Sequence, residues 1–196
     1  MTTRVIAVDQ SLTGTGYAFR MLDGKLVVGT IIQKEARGMK RLRTIMDTVE
    51  RMAHLGEVTL AVFEGYAFAS PKKGASRAHS LGEVGGILKY ALWTQGIDIM
   101  VVPPNSLKLF MLGPYKTVQH TEDGRKVKIK VKDQVKAAAE AHAGRRFSTD
   151  DQSDAYGLLL MGEAHRNPRL LPRVITHHKR AAMEGCEFYV GNRRLN

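Results

Sequence analysis

Two short stretches decide the fold, RVIAVD at residues 4–9 and LAVFE at residues 60–64. Each is an unbroken, largely β-branched apolar run, too short for a core helix and suited to a strand covered on both faces. Each also ends on a carboxylate, Asp9 in the first and Glu64 in the second. An unpaired carboxylate at the end of a buried strand carries a desolvation cost that needs a reason. If the two strands lie parallel and adjacent, both acids reach the carboxyl edge of the sheet, where open α/β sheets bind ligands.

Working outward from the first run, Thr13-Gly14-Thr15-Gly16 reads as a turn, and 17–21 and 26–32 read as strands joined at Asp23-Gly24, a hairpin signal. The chain thus opens with an antiparallel meander. Over 38–54, apolar residues at Met39, Leu42, Ile45, Met46, Val49 and Met52 have the three-and-four spacing of an amphipathic helix. After Glu64, residues 65–75 lack periodicity and read as a loop. A helix follows over 76–95, interrupted by Gly82, Gly85 and Gly86. Each glycine costs a helix about 1 kcal/mol relative to alanine, and close packing against a neighbour is the expected compensation.

Residues 97–102 form a third buried strand, ended by Pro103-Pro104, and 106–111 a short helix. Around Asp123-Gly124 the chain reads as a hairpin within about 114–132, with Lys126, Lys128, Lys130 and Lys132 alternating with Val127, Ile129 and Val131 to give a lysine face. Helices are expected over 133–143 and 150–165. Residues 167–196 carry no legible pattern. The order β-β-β-α-β-α-β-α-α predicts an α/β domain with a mixed five-stranded sheet flanked by helices.

Composition narrows the function. The 196 residues carry 30 Lys and Arg against 19 Asp and Glu, a formal net charge of +11, which points to phosphate-rich partners, with a merely solvated basic surface as the alternative. With 43% apolar residues the chain can bury a core, which excludes disorder throughout. One cysteine, Cys186, excludes an internal disulfide framework and points to a reducing compartment. Neither a signal peptide nor a membrane span is expected. The basic excess is interrupted once: over 148–166, Asp150, Asp151, Asp154 and Glu163 face only Arg166, a local charge of −3.

Asp151 and Asp154 are three residues apart and share a helix face that continues through Ala155, Leu158 and Gly162, the side expected on the sheet, while Asp150 points elsewhere. Taken singly, these acids are ordinary: aspartates favour helix first turns, and an aspartate after a strand is commonly a turn residue. Taken together, Asp9, Glu64, Asp151 and Asp154 would repel one another unless cations neutralised them. Hard oxygen donors without a His or Cys cluster suit Mg²⁺ or Mn²⁺, and two such ions can drive phosphodiester cleavage.

Three blocks then carry a family resemblance. Val5 through Ser11 followed by Thr15-Gly16-Tyr17, then LAVFE at 60–64, then Asp151-Gln152-Ser153-Asp154-Ala155 resemble the signature blocks of RuvC Holliday junction resolvases, within the RNase H-like (retroviral integrase) superfamily. The resemblance covers roughly 4–166 and implies an RNase H-like nuclease domain over 1–166, with the basic hairpin inserted and 167–196 as a C-terminal extension. It implies that Asp9, Glu64, Asp151 and Asp154 are the catalytic acids holding two Mg²⁺ ions, for which Mn²⁺ can substitute, that Lys108 and Lys132 lie near the active site with Lys132 counted among the catalytic residues, and that the protein dimerises through the 76–95 helix. The family's Asp-Pro-Gly is Asp9-Gln10-Ser11 here, and such departures resemble phage-encoded relatives.

The function implied is cleavage of Holliday junctions and other branched DNA, in the cytoplasm, that of a bacterial host if the chain is phage-encoded. Phosphates would be met by Lys72, Lys73, Arg77, Lys108, Lys126, Lys128, Lys130 and Lys132. Tyr66 or Phe68 would stack on an unpaired base, worth about 1–3 kcal/mol. The lysines could instead be a solvated face, and Phe68 could pack within its loop. A non-catalytic branched-nucleic-acid binder and a ribonuclease acting on RNA–DNA hybrid stand as alternatives.

Overall fold

The chain runs as β1 (Val5–Asp9), β2 (Gly14–Arg20), β3 (Leu26–Ile32), α1 (Gly38–Leu55), β4 (Leu60–Glu64), α2 (Ala75–Thr94), β5 (Asp98–Val102), α3 (Pro104–Leu112), β6 (Val118–Glu122), β7 (Arg125–Ile129), α4 (Val131–Ala143), α5 (Asp150–Arg166), α6 (His177–Glu184) and β8 (Glu187–Tyr189). This computed structural model describes residues 4–34, 37–65, 75–115, 118–122, 125–167 and 177–192, with the backbone alone for 75–81, 118–122 and 125–128.

The main sheet has the order β3-β2-β1-β4-β5-β8. The meander β1-β2-β3 is antiparallel, whereas β1, β4 and β5 run parallel. Because side chains alternate across a strand, the unbroken apolar runs of β1 and β4 supply both faces. Val5, Ala7, Leu60 and Val62 join Met100, Leu107, Phe110, Ala139 and most of α5 on one side. Ile6, Val8, Ala61 and Phe63 join Leu42, Ile45 and Val49 of α1 and Val84, Leu88 and Leu92 of α2 on the other. The result is a three-layer α/β domain, the predicted class.

Four details depart from the sequence reading. Gly14 to Gly16 are not a turn: they already pair with Ile32, Ile31 and Thr30, and Gly16 also pairs with Asp9. The lysine alternation is broken, since β7 ends at Ile129, Lys130 caps α4, and Lys132 belongs to the helix. Val131, Val135 and Ala139 are spaced by four, and burial of Val135 and of Ala139, the latter in the cluster that holds α5, favours helix over continued strand. In α2, a methyl group placed on Gly82 or Gly86 would meet no atom within 4 Å, so these glycines do not serve close packing within the described residues. Finally, the sheet has six strands rather than five.

The sixth strand comes from the segment after 167. β8 pairs antiparallel with β5, with Met100 opposite Phe188. Asp98 anchors it, accepting from the Gly191 amide at 2.9 Å while ion-paired with Arg166. Trp93 Nε1 donates to the Val190 carbonyl at 2.6 Å, and Phe188 stacks on His165 with ring centroids 4.1 Å apart. Helix α6 packs on the same face as α3, burying Ala182. Among the described residues, no helix is long and apolar enough to cross a membrane.

Candidate active site

Parallel pairing of β1 with β4 sets Val8 against Phe63, so the next residues, Asp9 and Glu64, emerge side by side at the carboxyl edge of the sheet. The Gly65 amide donates to the Val102 carbonyl at 2.6 Å, fixing the exit of β4 against β5.

Helix α5 brings two further acids to this edge. Its N-cap Thr149 accepts from the Gln152 amide at 3.3 Å, satisfying a free first-turn donor, and Gln152 Oε1 accepts from the amide of Ser148, just before the cap, at 3.0 Å. The Thr149 and Thr30 hydroxyls share a hydrogen bond of 3.0 Å, tying the cap to β3. The first turn lies flush on β2 because β2 carries glycine there. A Cβ on Gly16 would stand 2.1 Å from the Asp151 carbonyl oxygen, and one on Gly14 would stand 3.0 Å from Asp151 Oδ2. Further along, a Cβ on Gly162 would fall 2.5 Å from Val62 Cγ2, so α5 meets the sheet closely at both ends. Gly14 and Gly16 are site-forming residues that sequence reasoning missed, since two glycines beside threonines resemble a turn.

The four acids feel one another. Burial, then the charges of Glu64, Asp154 and Asp151, hold Asp9 well above the ordinary carboxylate range, against a lowering contribution from Lys132. Burial and then Asp154 push Glu64 up to about 7, opposed by Lys108 and Lys132. Asp154 is raised to about 6, chiefly by burial, with Lys132 opposing and Asp150 and Asp151 adding. Asp151 is raised as well, by burial first, with Lys132 again opposing and Asp150 adding. Near neutral pH Glu64 is therefore partly protonated, unlike an ordinary carboxylate.

Two lysines border the cluster. Glu64, Leu107, Lys108, Val131, Lys132, Val135 and Asp154 line a cleft of about 250 Å³. Lys132 Nζ lies 3.3 Å from Asp150 Oδ2, and Lys136 Nζ lies 3.7 Å from Asp150 Oδ1. Burial alone would lower Lys132; the hydrogen bond and charge of Asp150, helped by Asp154 and Asp151, outweigh it and keep the ammonium firmly charged. Asp150 pairs with Lys132 and orients it, a role the sequence did not disclose, while its charge still raises Asp151 and Asp154.

The donor chemistry fits a hard divalent cation: clustered carboxylates, no thiolate and no imidazole. As the side chains stand, no three His, Cys, Asp or Glu groups among the described residues are arranged to enclose an ion. Lys130 is exposed at the entry to α4, two residues before Lys132. Tyr66, Phe68, Lys72 and Lys73 lie outside the described residues, as do the side chains of Arg77, Lys126 and Lys128.

The sequence matches no protein-family model and no curated protein. Solved structures do match. One is Thermus thermophilus RuvC in complex with a Holliday junction substrate, at TM-score 0.63 and 14% identity over 84% of this chain and 95% of that one. Thermus thermophilus RuvC in a second structure gives 0.62 and 17% over 84% and 96%. Fowlpox virus resolvase with its substrate Holliday junction DNA gives 0.51 and 12% over 83% and 98%. The chain therefore has the RNase H-like fold of RuvC-type Holliday junction resolvases, over nearly the full length of those proteins, and the resemblance carried by the three sequence blocks holds at the level of the fold.

Proposed function

We propose that the protein is a divalent-cation-dependent endonuclease that cleaves branched DNA, four-way junctions first. What supports this reading is the parallel pairing that sets Asp9 beside Glu64 at one sheet edge, with Asp154 lining the same cleft as Glu64 and Asp151 packed on Gly14 and Gly16 of β2, on a fold shared with resolvases whose structures hold Holliday junction DNA. A protein that only bound DNA would gain nothing from four acids facing phosphates.

On this reading Asp9, Glu64, Asp151 and Asp154 hold two Mg²⁺ ions, with Mn²⁺ able to substitute. Bound there, such ions supply an activated water and neutralise charge on the leaving oxygen. The chain's own groups do the rest. The four carboxylates exchange protons for cations, which removes the repulsion that raises their proton affinity. Lys132, held by Asp150, and Lys108 across the cleft draw the scissile phosphate between them. Lys130, with Lys72, Lys73, Arg77, Lys126 and Lys128, extends the grip along the backbone, and Tyr66 or Phe68 stacks on an exposed base. A homodimer through α2 belongs to the same proposal; Tyr90 on that helix is 67% exposed, and the open faces of Gly82 and Gly86 would admit a close partner. The setting proposed is cytoplasmic, that of a bacterial host for a phage-encoded protein.

The test is a substrate panel of four-way junction, fork, flap and RNA–DNA hybrid with Mg²⁺, comparing wild type with Asp9→Asn. Wild type should cut the junction, and the variant should bind it without cutting. Equal cutting by the variant, or cutting of the hybrid alone, would overturn the reading.

A further inference from the structure

Gln10 follows Asp9 at the end of β1 and is only 6% exposed. Half of its amide has an evident use. Nε2 donates to the backbone carbonyl of Glu64 at 2.5 Å. The β1–β4 ladder reaches Val8 and Phe63 and leaves the two acids at its end. The Gln10 side chain thus ties the strands together beyond their last paired residues. With the Gly65 amide bound to Val102 on the other side, the peptide that follows Glu64 is held from both neighbouring strands.

The other half of the amide has no such use. Oε1 is fully buried and, among the described residues, has no hydrogen-bond partner. Burying an acceptor without a donor is costly, and a methionine of similar length would fill the space without that cost.

We infer that Gln10 is a positioning residue for the acid site: Nε2 holds the Glu64 carbonyl and so sets the spacing of the Asp9- and Glu64-bearing strand ends. The inference rests on the proposed reading of the four acids as a cation site. Residues that orient metal ligands characteristically change affinity about 10- to 100-fold when removed. The role falls on a position where the resolvase blocks carry proline, so this chain would meet the same need by a different device.

The experiment measures Mn²⁺ binding to the full chain by the loss of the free-ion electron paramagnetic resonance signal, for wild type, Asp9→Asn, Gln10→Met and Gln10→Asn. The asparagine variant keeps the amide but is a methylene too short to reach Glu64, so it serves if the methionine variant does not fold. Both Gln10 variants should bind Mn²⁺ about tenfold more weakly than wild type. At saturating Mn²⁺ their junction cleavage should recover to near the wild-type rate, with junction binding in EDTA unchanged. A Gln10 variant that melts earlier in EDTA yet binds Mn²⁺ within twofold of wild type would overturn the inference and leave the cation site intact. Wild type showing no Mn²⁺ binding that Asp9→Asn abolishes would overturn both.

Discussion

Replacing Glu64 by Gln should make the cation-free protein more stable at pH 8 while abolishing cleavage. Glu64 is held at about 7 instead of 4.5, so the folded state binds its proton more tightly than the unfolded chain does. The sign follows from that. A carboxylate with a raised value imposes no penalty below about pH 4.5, and its penalty grows as pH climbs through about 7, where the folded protein must ionise it. A shift of about 2.5 pH units corresponds to about 3.4 kcal/mol at full ionisation. The amide that replaces the carboxylate removes the charge but still has to be desolvated, which leaves an expected gain of about 2 kcal/mol. For a chain of this size that is a rise in Tm of roughly 4–8 °C. Thermal melts of both proteins in EDTA at pH 5 and pH 8 make the measurement, the difference being large at pH 8 and near zero at pH 5. Added Mg²⁺ should raise the wild-type Tm at pH 8 and largely cancel the advantage of the variant. Equal Tm differences at the two pH values, or a variant less stable at pH 8, would refute the account of Glu64 as a repelled, desolvated acid.

Asp150→Asn should free Lys132 from its partner and lower kcat on a junction by about tenfold with little change in junction affinity, read by single-turnover cleavage beside a binding titration. Gly16→Ala would drive a methyl group into the Asp151 carbonyl, so it should lift the first turn of α5, cost more than about 2 kcal/mol in denaturant melts and reduce cleavage further than the stability loss explains. Changing Lys126, Lys128 and Lys130 together to Ala should flatten the salt dependence of junction binding by up to about 3 in the slope of log K against log salt. An unaltered slope would mark these lysines as merely solvated.

The parts of the fold legible in the sequence are those whose burial is periodic. β1 and β4 are covered on both faces, so their apolar runs are continuous, and α1 presents one face, so Leu42, Ile45 and Val49 recur on helical spacing. Asp151 and Asp154 were readable for the same reason: three residues on a helix is a distance, once the helix is known. What escaped were elements specified by one contact. β8 is three residues long and exposed throughout, too short for a period to show, and it exists because Asp98 and Trp93 capture the backbone around Val190 and Gly191. Lys130 and Lys132 continued a strand pattern, but Val131, Val135 and Ala139 fit helical spacing too, and only packing against α5 decides between them. Gln10 carries no pattern at all; its meaning lies in the carbonyl it reaches across two strand ends.

The capture of β8 also sets an order of events. Met100 pairs with Phe188, so the outer edge of β5 stays open while all of the intervening chain is synthesised and folded. An open edge is a template for strands of other chains. A chain truncated after α5 and before β8 would have a complete acid cluster and an exposed sheet edge. Such a fragment would be lost to aggregation rather than to lack of chemistry. The short strand that closes the sheet thus governs how much protein survives synthesis, although it lies far from the acids that would do the cutting.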